Sequence, residues 1–516
     1  LIIVIPAILL ALSLLFLLTA RTVARKIEPQ IRALAIRYLE QRFNARVSLA
    51  RLDIVLPHIS SFRLLWRGGS GIVAGVKGQG LSLSYQGRSD IPPLLTVATF
   101  QCNLDLGVLR QSPPRIARVS LDGVSIVVPP KSDNPHPPTT QPQASAGVII
   151  DKLDFSNTRL TILRKAAGRK PLELVMQELH LESAGVGQHM TYQASFTNPR
   201  PPGRIESQGT FGPWQRDEPG NTPLEGEYDF SNADLSVFKA IAGTLHSKGH
   251  FGGTLSAVRV RGSAFVPDFH LKSSGNLVPL ETQFDAVVDG TNGNTILQPV
   301  HARLLNTYFE TSGGIVKREA SGRRAIDLDV AMTQGHVEDC LLLAMKGKPF
   351  MSGLIHMQAK ISIPPLGGEV KEKLRLEGTY DIAQGDFHRA SVQEKIDELS
   401  RRGQGRPEDL AVQNVFSHMS GSFRLEDAVM TFSRLTFGVP GAAVALHGQY
   451  RLDGDTLDFH GNLQLQAKVS QTLAGWKHFL AVPLDPLFEK NGAGTFLKIE
   501  IVGSAKNPKF GRDHGE

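Results

Sequence analysis

Leu457-Asp-Phe459-His-Gly-Asn-Leu463-Gln-Leu465-Gln-Ala467 places mostly apolar residues at its odd positions and Asp458, His460, Asn462, Gln464 and Gln466 at the even ones. Successive side chains of a strand point to opposite faces, so alternation sustained this long means one dry face and one wet face. The same period recurs in Ile326-Asp-Leu328-Asp-Val330-Ala-Met332, in Leu497-Lys-Ile499-Glu-Ile501 and in Val258-Arg-Val260-Arg. Turn chemistry separates these runs, at Val288-Asp-Gly290, across Asp289 to Asn294, and at Leu452-Asp-Gly454-Asp. Between Val47 and Val502 the alternating runs number about 25 to 30, each adding roughly 4.8 Å of sheet width. The class is therefore mainly β, built as a long antiparallel sheet.

A faint internal repeat supports a repetitive body. Asp154-Phe-Ser-Asn157-Thr-Arg-Leu160-Thr-Ile162 matches Asp229-Phe-Ser-Asn232-Ala-Asp-Leu235-Ser-Val237, and Leu121-Asp-Gly-Val-Ser-Ile126 is a shorter echo. Interruptions are few. Pro129 to Gly147 is proline-rich and reads as an exposed, extended loop, and Asn198 to Pro223 is a second turn-rich stretch. Ser391-Val-Gln-Glu394 has the form of a capping box, which predicts a short helix carrying Ile396 and Leu399. Thr472 to Phe479 is another helical candidate, ending before Pro483.

The 516 residues include 50 glycines and 31 prolines with only 20% charged side chains, a mix that suits short turns between strands better than a helical bundle. Cys102 and Cys340 are too few for a disulfide framework or a thiolate metal site, although an oxidising compartment would permit one long-range bridge. The net charge of +7 is concentrated. Arg21, Arg25, Lys26, Arg32, Arg37, Arg42 and Arg46 stand against Glu28 and Glu40, a net +5, which leaves the body near neutral. A nucleic-acid partner would need a basic face along the body, so none is expected.

The basic stretch follows an apolar one. Leu1 to Ala20 has only Ser13 and Thr19 as polar side chains, and twenty helical residues cover roughly 30 Å, the hydrocarbon thickness of a bilayer. An uncleaved signal anchor over 1–20 is expected in preference to a cleaved signal peptide, whose apolar core would be shorter and end in a small-x-small site. Ile27, Ile31, Leu34, Tyr38, Leu39 and Phe43 then recur at helical spacing, so 21–46 is read as a basic amphipathic juxtamembrane helix. It either packs on the first sheet or rests on lipid headgroups, and the two are compatible. The charge rule would place this flank in the cytoplasm, but a basic segment ahead of Leu1 would reverse it, so the residues alone leave topology open.

Catalytic motifs are missing from the sequence. Sixteen histidines are scattered singly without HxH, HExxH or CxxC spacing, so neither a metal nor a cofactor is expected. His447 and His460 fall on strands beside glycine, where facing solvent is the default. Asp327 and Asp329 have the pairing of a glycosidase dyad, but any i, i+2 pair on a wet strand face looks the same. Gly249-His-Phe-Gly252-Gly253 lacks a following helix to hold a phosphate.

The order of features resembles the AsmA-like family of envelope proteins over essentially the full chain. The opening span, Ile36-Arg-Tyr-Leu39-Glu40-Gln-Arg-Phe43-Asn44-Ala-Arg-Val47 and Leu49-Ala-Arg-Leu52-Asp-Ile54 look like its chorein-like N-terminal module. Gly243-Thr-Leu-His-Ser-Lys-Gly249-His-Phe-Gly252-Gly-Thr-Leu255, then Val258 to Gly262 and Pro267-Asp268-Phe269, resemble its repeated sheet core. The most specific match runs from Ser391-Val-Gln393-Glu-Lys395-Ile-Asp397-Glu-Leu399-Ser400 through Phe437-Gly-Val-Pro440-Gly441-Ala442 and Gly492-Ala-Gly494-Thr495 to Ile501-Val-Gly503-Ser-Ala-Lys-Asn-Pro508-Lys-Phe510-Gly511. The resemblance implies a bacterial inner-membrane anchor with the body in the periplasm, and a twisted sheet curled into an open U-shaped apolar groove. It divides the chain into a 1–20 anchor, a 21–46 basic helix, a 47–128 N-terminal sheet, a 129–147 loop, a 148–390 groove core and a 391–516 C-terminal region. It further implies phospholipid movement toward the outer membrane, or a part in outer-membrane protein assembly, and carries no catalytic residue.

Elementary energetics points the same way. A one-sided apolar sheet must bury that face, and few helices are available downstream to cover it. Each methylene removed from water contributes about 0.8 kcal/mol, so an acyl chain of about sixteen carbons gains on the order of 10 kcal/mol on such a face. The expected groove lining is Val258, Val260, Ile326, Leu328, Val330, Leu457, Phe459, Leu463, Leu465, Leu497, Ile499 and Ile501. The expected partners are membrane phospholipid and an outer-membrane or periplasmic protein at the C-terminal end. A scaffold acting through its sheet edges, without lipid transfer, is the second reading. A glycan hydrolase using Asp327 and Asp329 is a third.

Overall fold

The computed structural model describes residues 33, 36, 37, 40, 45–55, 73–85, 92–105, 115–128, 149–162, 172–184, 189–213, 215, 218–318, 324–365, 373–472, 494–504 and 507–512. The anchor segment 1–20, the proline-rich loop 129–147, and Arg21, Arg25, Lys26, Arg32 and Arg42 lie outside them, as does the helical candidate beyond Thr472. Among the described residues no helix is long and apolar enough to cross a membrane.

Alternation becomes strand throughout, in two units: 1–233 with 250–255, and 234–249 with 256–516. The first unit is built on β1 (Ala45–Val55), β2 (Val73–Tyr85), β3 (Leu95–Asp105), β4 (Arg115–Val128), β5 (Ile149–Ile162), β6 (Leu172–Ala184), β7 (Met190–Pro199), β8 (Pro202–Phe211) and β9 (Pro223–Asp234). Each strand pairs with its neighbour in sequence. Register aligns Val47, Leu83, Leu95, Ile126, Leu160 and Leu174 in one apolar row. Farther along the same strands Gly78 pairs with Leu52 and Phe100, and a Cβ there would stand 2.1 Å from the Phe100 ring, so glycine makes room for an aromatic on the facing strand.

One pairing departs from the antiparallel expectation. β4 and β5 run parallel, from Arg115 opposite Ile149 to Val128 opposite Ile162. Parallel neighbours need a long return connection, and residues 129–148 supply one, which the composition alone read only as a loop.

After β10 (Ile241–Ala242) and β11 (Thr244–Thr254), the second unit runs through β12 (Ala257–Leu271), β13 (Val278–Val288), β14 (Thr295–Leu304), β15 (Thr307–Lys317), β16 (Arg324–His336), α1 (Val337–Ala344), β17 (Met351–Ile363) and β18 (Arg375–Phe387). It continues with α2 (Ala390–Gly403), β19 (Ser417–Glu426), β20 (Val429–Val439), β21 (Ala442–Arg451), β22 (Thr456–Leu465), β23 (Thr495–Ser504) and β24 (Asn507–Arg512). From β12 to β24 all ladders are antiparallel between sequence neighbours. Every pairing from β12–β13 to β20–β21 contains a register shift. An extra residue bends its strand and increases the local twist, so bulges repeated in this way curve the sheet within the unit.

The described residues hold twenty-four strands, several of them long: β12 has 15 residues, and β4 and β5 have 14 each. The turn-rich stretch 198–223 contains all of β8, whose alternation is masked by flanking prolines. The DFSN repeat has a backbone meaning. Asn157 and Asn232 both take a left-handed φ, 51° and 53°, and the residues that follow, Thr158 and Ala233, are buried. Gly123 of the shorter echo has φ 64° and precedes buried Val124. A β-branched residue resists this region by about 1–2 kcal/mol. We expect Asn232→Val to lower stability by about that amount and Asn232→Gly to stay within about 0.5 kcal/mol, read from urea unfolding midpoints.

The helix expected from Ser391 through Ile396 and Leu399 is present as α2, with a different cap, whereas α1 was not expected. α2 begins at Ala390 with Arg389 as an extended N-cap and no side-chain cap, so Ser391 and Glu394 do not form the capping box. Its Gln393 turns inward instead, donating to Asp397 at 3.0 Å and accepting from the Phe387 N–H. Gln393, Ile396, Asp397, Ser400 and Gly403 make the buried side at helical spacing. Gly403 approaches Gly441 so closely that a Cβ would lie 2.4 Å from its carbonyl oxygen. α1 was not legible as a helix. Glu338 and Asp339 occupy its first turn, where carboxylates oppose the dipole, and Asn276 Nδ2 donates to the Leu342 and Met345 carbonyls at its other end, 2.8 Å each.

At the N-terminal side Ala33, Ile36, Arg37 and Glu40 are helical, with Arg37 exposed. Arg46 is not part of that helix: it lies on β1, exposed, beside buried Val47. The alternation that starts at Ala45 takes precedence over the helical spacing, and the Val47 N–H donates to Glu40 Oε1.

Candidate functional site

In the second unit the bulged registers still bring apolar residues opposite apolar residues. Val330, Ala359, Gly378, Phe423, Phe432, Gly448, Phe459 and Ile501 follow one another across eight consecutive strands. A second row joins Val260 through Ala286, Leu297 and Gly313 to Leu328, then Ile361, Leu376, Leu425, Met430, Tyr450 and Leu457. Aromatic rings meet within the face, Tyr380 with Phe423 at 6.2 Å and Phe432 with Phe459 at 5.8 Å between centroids.

Among the described residues, helices cover this face at one end of the strands. α1 packs over Met332, Met351, Ile355 and Ile382, and α2 over Val439, Ala442 and Leu465. Elsewhere the strands make their substantial contacts with ladder neighbours. Most members of the Val330 row are only half-buried, although Phe459 is 7% exposed. The surroundings are dry enough to move titrating groups: burial raises the Tyr380 phenol, and burial first, then Asp339 and Glu338, pushes the Cys340 thiol up to about 11. Cys102 and Cys340 are both free thiols.

All twelve predicted lining residues sit on apolar positions of their strands. Val258, Phe459 and Leu465 are buried, and Val260, Ile326, Leu328, Val330, Leu457, Leu463, Leu497, Ile499 and Ile501 are half-buried. Leu465 belongs to the core beneath α2, and Leu463 packs against it. The sequence pattern missed Ala359, a small residue in a regular stretch of β17, and Phe423 and Phe432, whose alternation is broken by bulges at Ser422/Phe423 and Phe432/Leu435.

The opposite face is a ladder of alternating charge. Asp329, Lys360, Glu377 and Arg424 stand opposite one another on four adjacent strands, and Arg424 reaches Glu377 at 3.3 Å. A cavity of about 880 Å³ lies along this stretch, lined by these residues with Gln358 and Thr379 and also by Val330, Ala359, Gly378 and Phe423 of the apolar row. Asp327 accepts from Ser362 Oγ at 2.7 Å and from Arg318 at 3.0 Å, so this member of the glycosidase-like pair is engaged in side-chain bonding. His447 faces His460 across the β21–β22 ladder, and His460 lies 3.2 Å from Asp458. Among the described residues no group of three or more His, Cys, Asp or Glu could hold a metal ion.

A close wet-face ion cluster was invisible in sequence. Arg259 Nη2 donates to Asp285 Oδ2 at 2.6 Å, and Arg261 Nε donates to the same oxygen at 2.9 Å. Hydrogen bonding from Arg259 foremost, with Arg261 adding to it, holds the Asp285 carboxyl at about 2. A depressed folded-state value stabilises above the ordinary carboxylate value near 3.9 and is lost as pH falls through the folded one. We expect Asp285→Asn to flatten the acid limb of the stability profile between about pH 4 and 2. The effect should be small, because both arginines are largely exposed, and should shrink further in salt.

No family model, curated protein or solved structure matches the chain.

Proposed function

We propose that this chain binds the acyl chains of phospholipid on the apolar face of its sheet and conducts them along it, without a catalytic group or cofactor. The observation that carries the reading is the continuous row from Val330 to Ile501, over which, among the described residues, helices pack at one end of the strands only. At about 4.8 Å per strand, eight strands offer roughly 35 Å of apolar width. One acyl chain occupies about half of a bilayer's 30 Å hydrocarbon core, so the row has room for it. Face residues left half-exposed to water have more to gain from a hydrocarbon ligand than residues already packed.

In its finer form the proposal is an AsmA-like protein: an inner-membrane anchor at 1–20, the body in the bacterial periplasm, and the sheet curled as an open U-shaped groove serving outer-membrane biogenesis. The motif resemblance supports that form. The test is mass spectrometry of lipid extracted from the purified full chain, with phospholipid expected at or above one molecule per chain. Lipid at the level of an unrelated detergent-purified membrane protein would defeat the proposal and leave the envelope scaffold that acts through its sheet edges.

A further inference from the structure

The strand ends that carry α1 and α2 also present apolar side chains to water. Leu277 is 64% exposed, Phe350 48% and Phe416 61%, on the segments that enter β13, β17 and β19. Asn276 fastens the first of these segments to the C-terminal end of α1. β18 pairs with both β17 and β19, so Phe350 and Phe416 flank its end, and the His388 N–H donates to the Phe350 carbonyl at 2.9 Å. Gly275 and Gly347, at φ 77° and 88°, mark turn tips over which nothing lies within 4 Å of a Cβ.

The patch is net basic. Residues 272–277, 344–350 and 388–389 contain Lys272, Lys346, Lys348 and Arg389 and no acid, while the segment 404–416 that leads to Phe416 adds Arg406 against Glu408 and Asp409. Lys346, Lys348 and Arg389 are exposed. A protein partner fits poorly, because interface cores are depleted of lysine. Exposed Phe and Leu ringed by Lys are what a bilayer interface accepts: rings at the headgroup–acyl boundary, ammonium groups on phosphate.

We propose that this end of the second unit docks on an anionic lipid surface, with Leu277, Phe350 and Phe416 entering the interface and Lys346, Lys348 and Arg389 meeting lipid phosphates. The docking does not depend on acyl-chain carriage: a chain that carries no lipid keeps it, and failure to dock leaves the lipid-carrying face untouched.

The experiment uses the full chain in amphipol, with Cys102→Ala and Cys340→Ala and one new cysteine bearing an environment-sensitive fluorophore. Phe350→Cys reports the docking end, and Asp453→Cys reports the β21–β22 turn at the other strand ends. Vesicles contain phosphatidylglycerol and phosphatidylcholine, or phosphatidylcholine alone, with brominated acyl chains as quencher. Label 350 should blue-shift and be quenched about twofold or more by the anionic vesicles, while label 453 stays unchanged. Lys346→Glu with Lys348→Glu should weaken that response about tenfold or more, since each basic residue near such a surface contributes about 1 kcal/mol. Equal behaviour of the two labels, or an equal response to uncharged vesicles, overturns the proposal. Hydrogen exchange on the unmodified full chain needs no variant: anionic vesicles should protect 344–350 and spare 452–455. Protection of neither overturns the proposal as well.

Discussion

Leu465→Asp should lower the stability of the second unit by about 3–5 kcal/mol, while Gln464→Asp one position earlier should change it by less than about 0.5 kcal/mol. Leu465 is 6% exposed in the cluster formed with Ile396, Val439 and Ala442, and Gln464 is exposed on the other face of β22. A carboxylate at 465 would be sealed between sheet and α2 among the apolar side chains of that cluster. It would also displace the packing that holds α2, and with it the buried Ser400 bond to the Pro440 carbonyl at 2.8 Å. Urea unfolding followed by far-UV circular dichroism measures both variants. If both unfold at the wild-type midpoint, the α2 cluster is not part of the stable core.

Neighbouring residues of one strand can thus be told apart from alternation alone, which is why the fold class was legible. A period of two needs only adjacent side chains, and Leu457 to Ala467 states it without interruption. The face was legible for the same reason where strands are regular, as at Leu328 and Val330. It was not legible where a bulge adds a residue, because one inserted position inverts the pattern, as around Phe423 and Phe432. Nor could alternation say which apolar positions lie under a helix. Leu465 and Phe459 read alike in sequence, yet α2, arriving from the end of β18, packs on Leu465. The parallel β4–β5 pair was hidden because direction is set by the connection, and a proline-rich connection carries no signal of where it returns. The Arg259–Asp285–Arg261 clamp was hidden because its partners are joined by register, which no local window contains.

Ala359→Asp should remove bound phospholipid from the purified full chain by about tenfold or more while leaving the fold intact. Ala359 lies in the Val330 row between Val330 and Gly378 and is half-buried rather than sealed, so a carboxylate there keeps access to water in the empty protein. With an acyl chain on the face the same carboxylate would lose its hydration, or hold the chain away. Even partial desolvation of a charge exceeds the 1.4 kcal/mol that a tenfold loss of affinity represents. Gln358→Asp is the matched control, one residue away on the exposed polar face, and should keep wild-type occupancy. Leu465→Asp cannot serve this purpose, since its effect on lipid would be confounded by unfolding. Quantitative mass spectrometry of extracted lipid, beside circular dichroism of the same samples, separates the outcomes. Loss of lipid in Ala359→Asp alone, with an unchanged spectrum, supports carriage on this face. Equal lipid in all three chains means that whatever lipid co-purifies sits elsewhere, and the second unit then keeps only the scaffold reading, in which its free strand edges rather than its apolar face meet the partner.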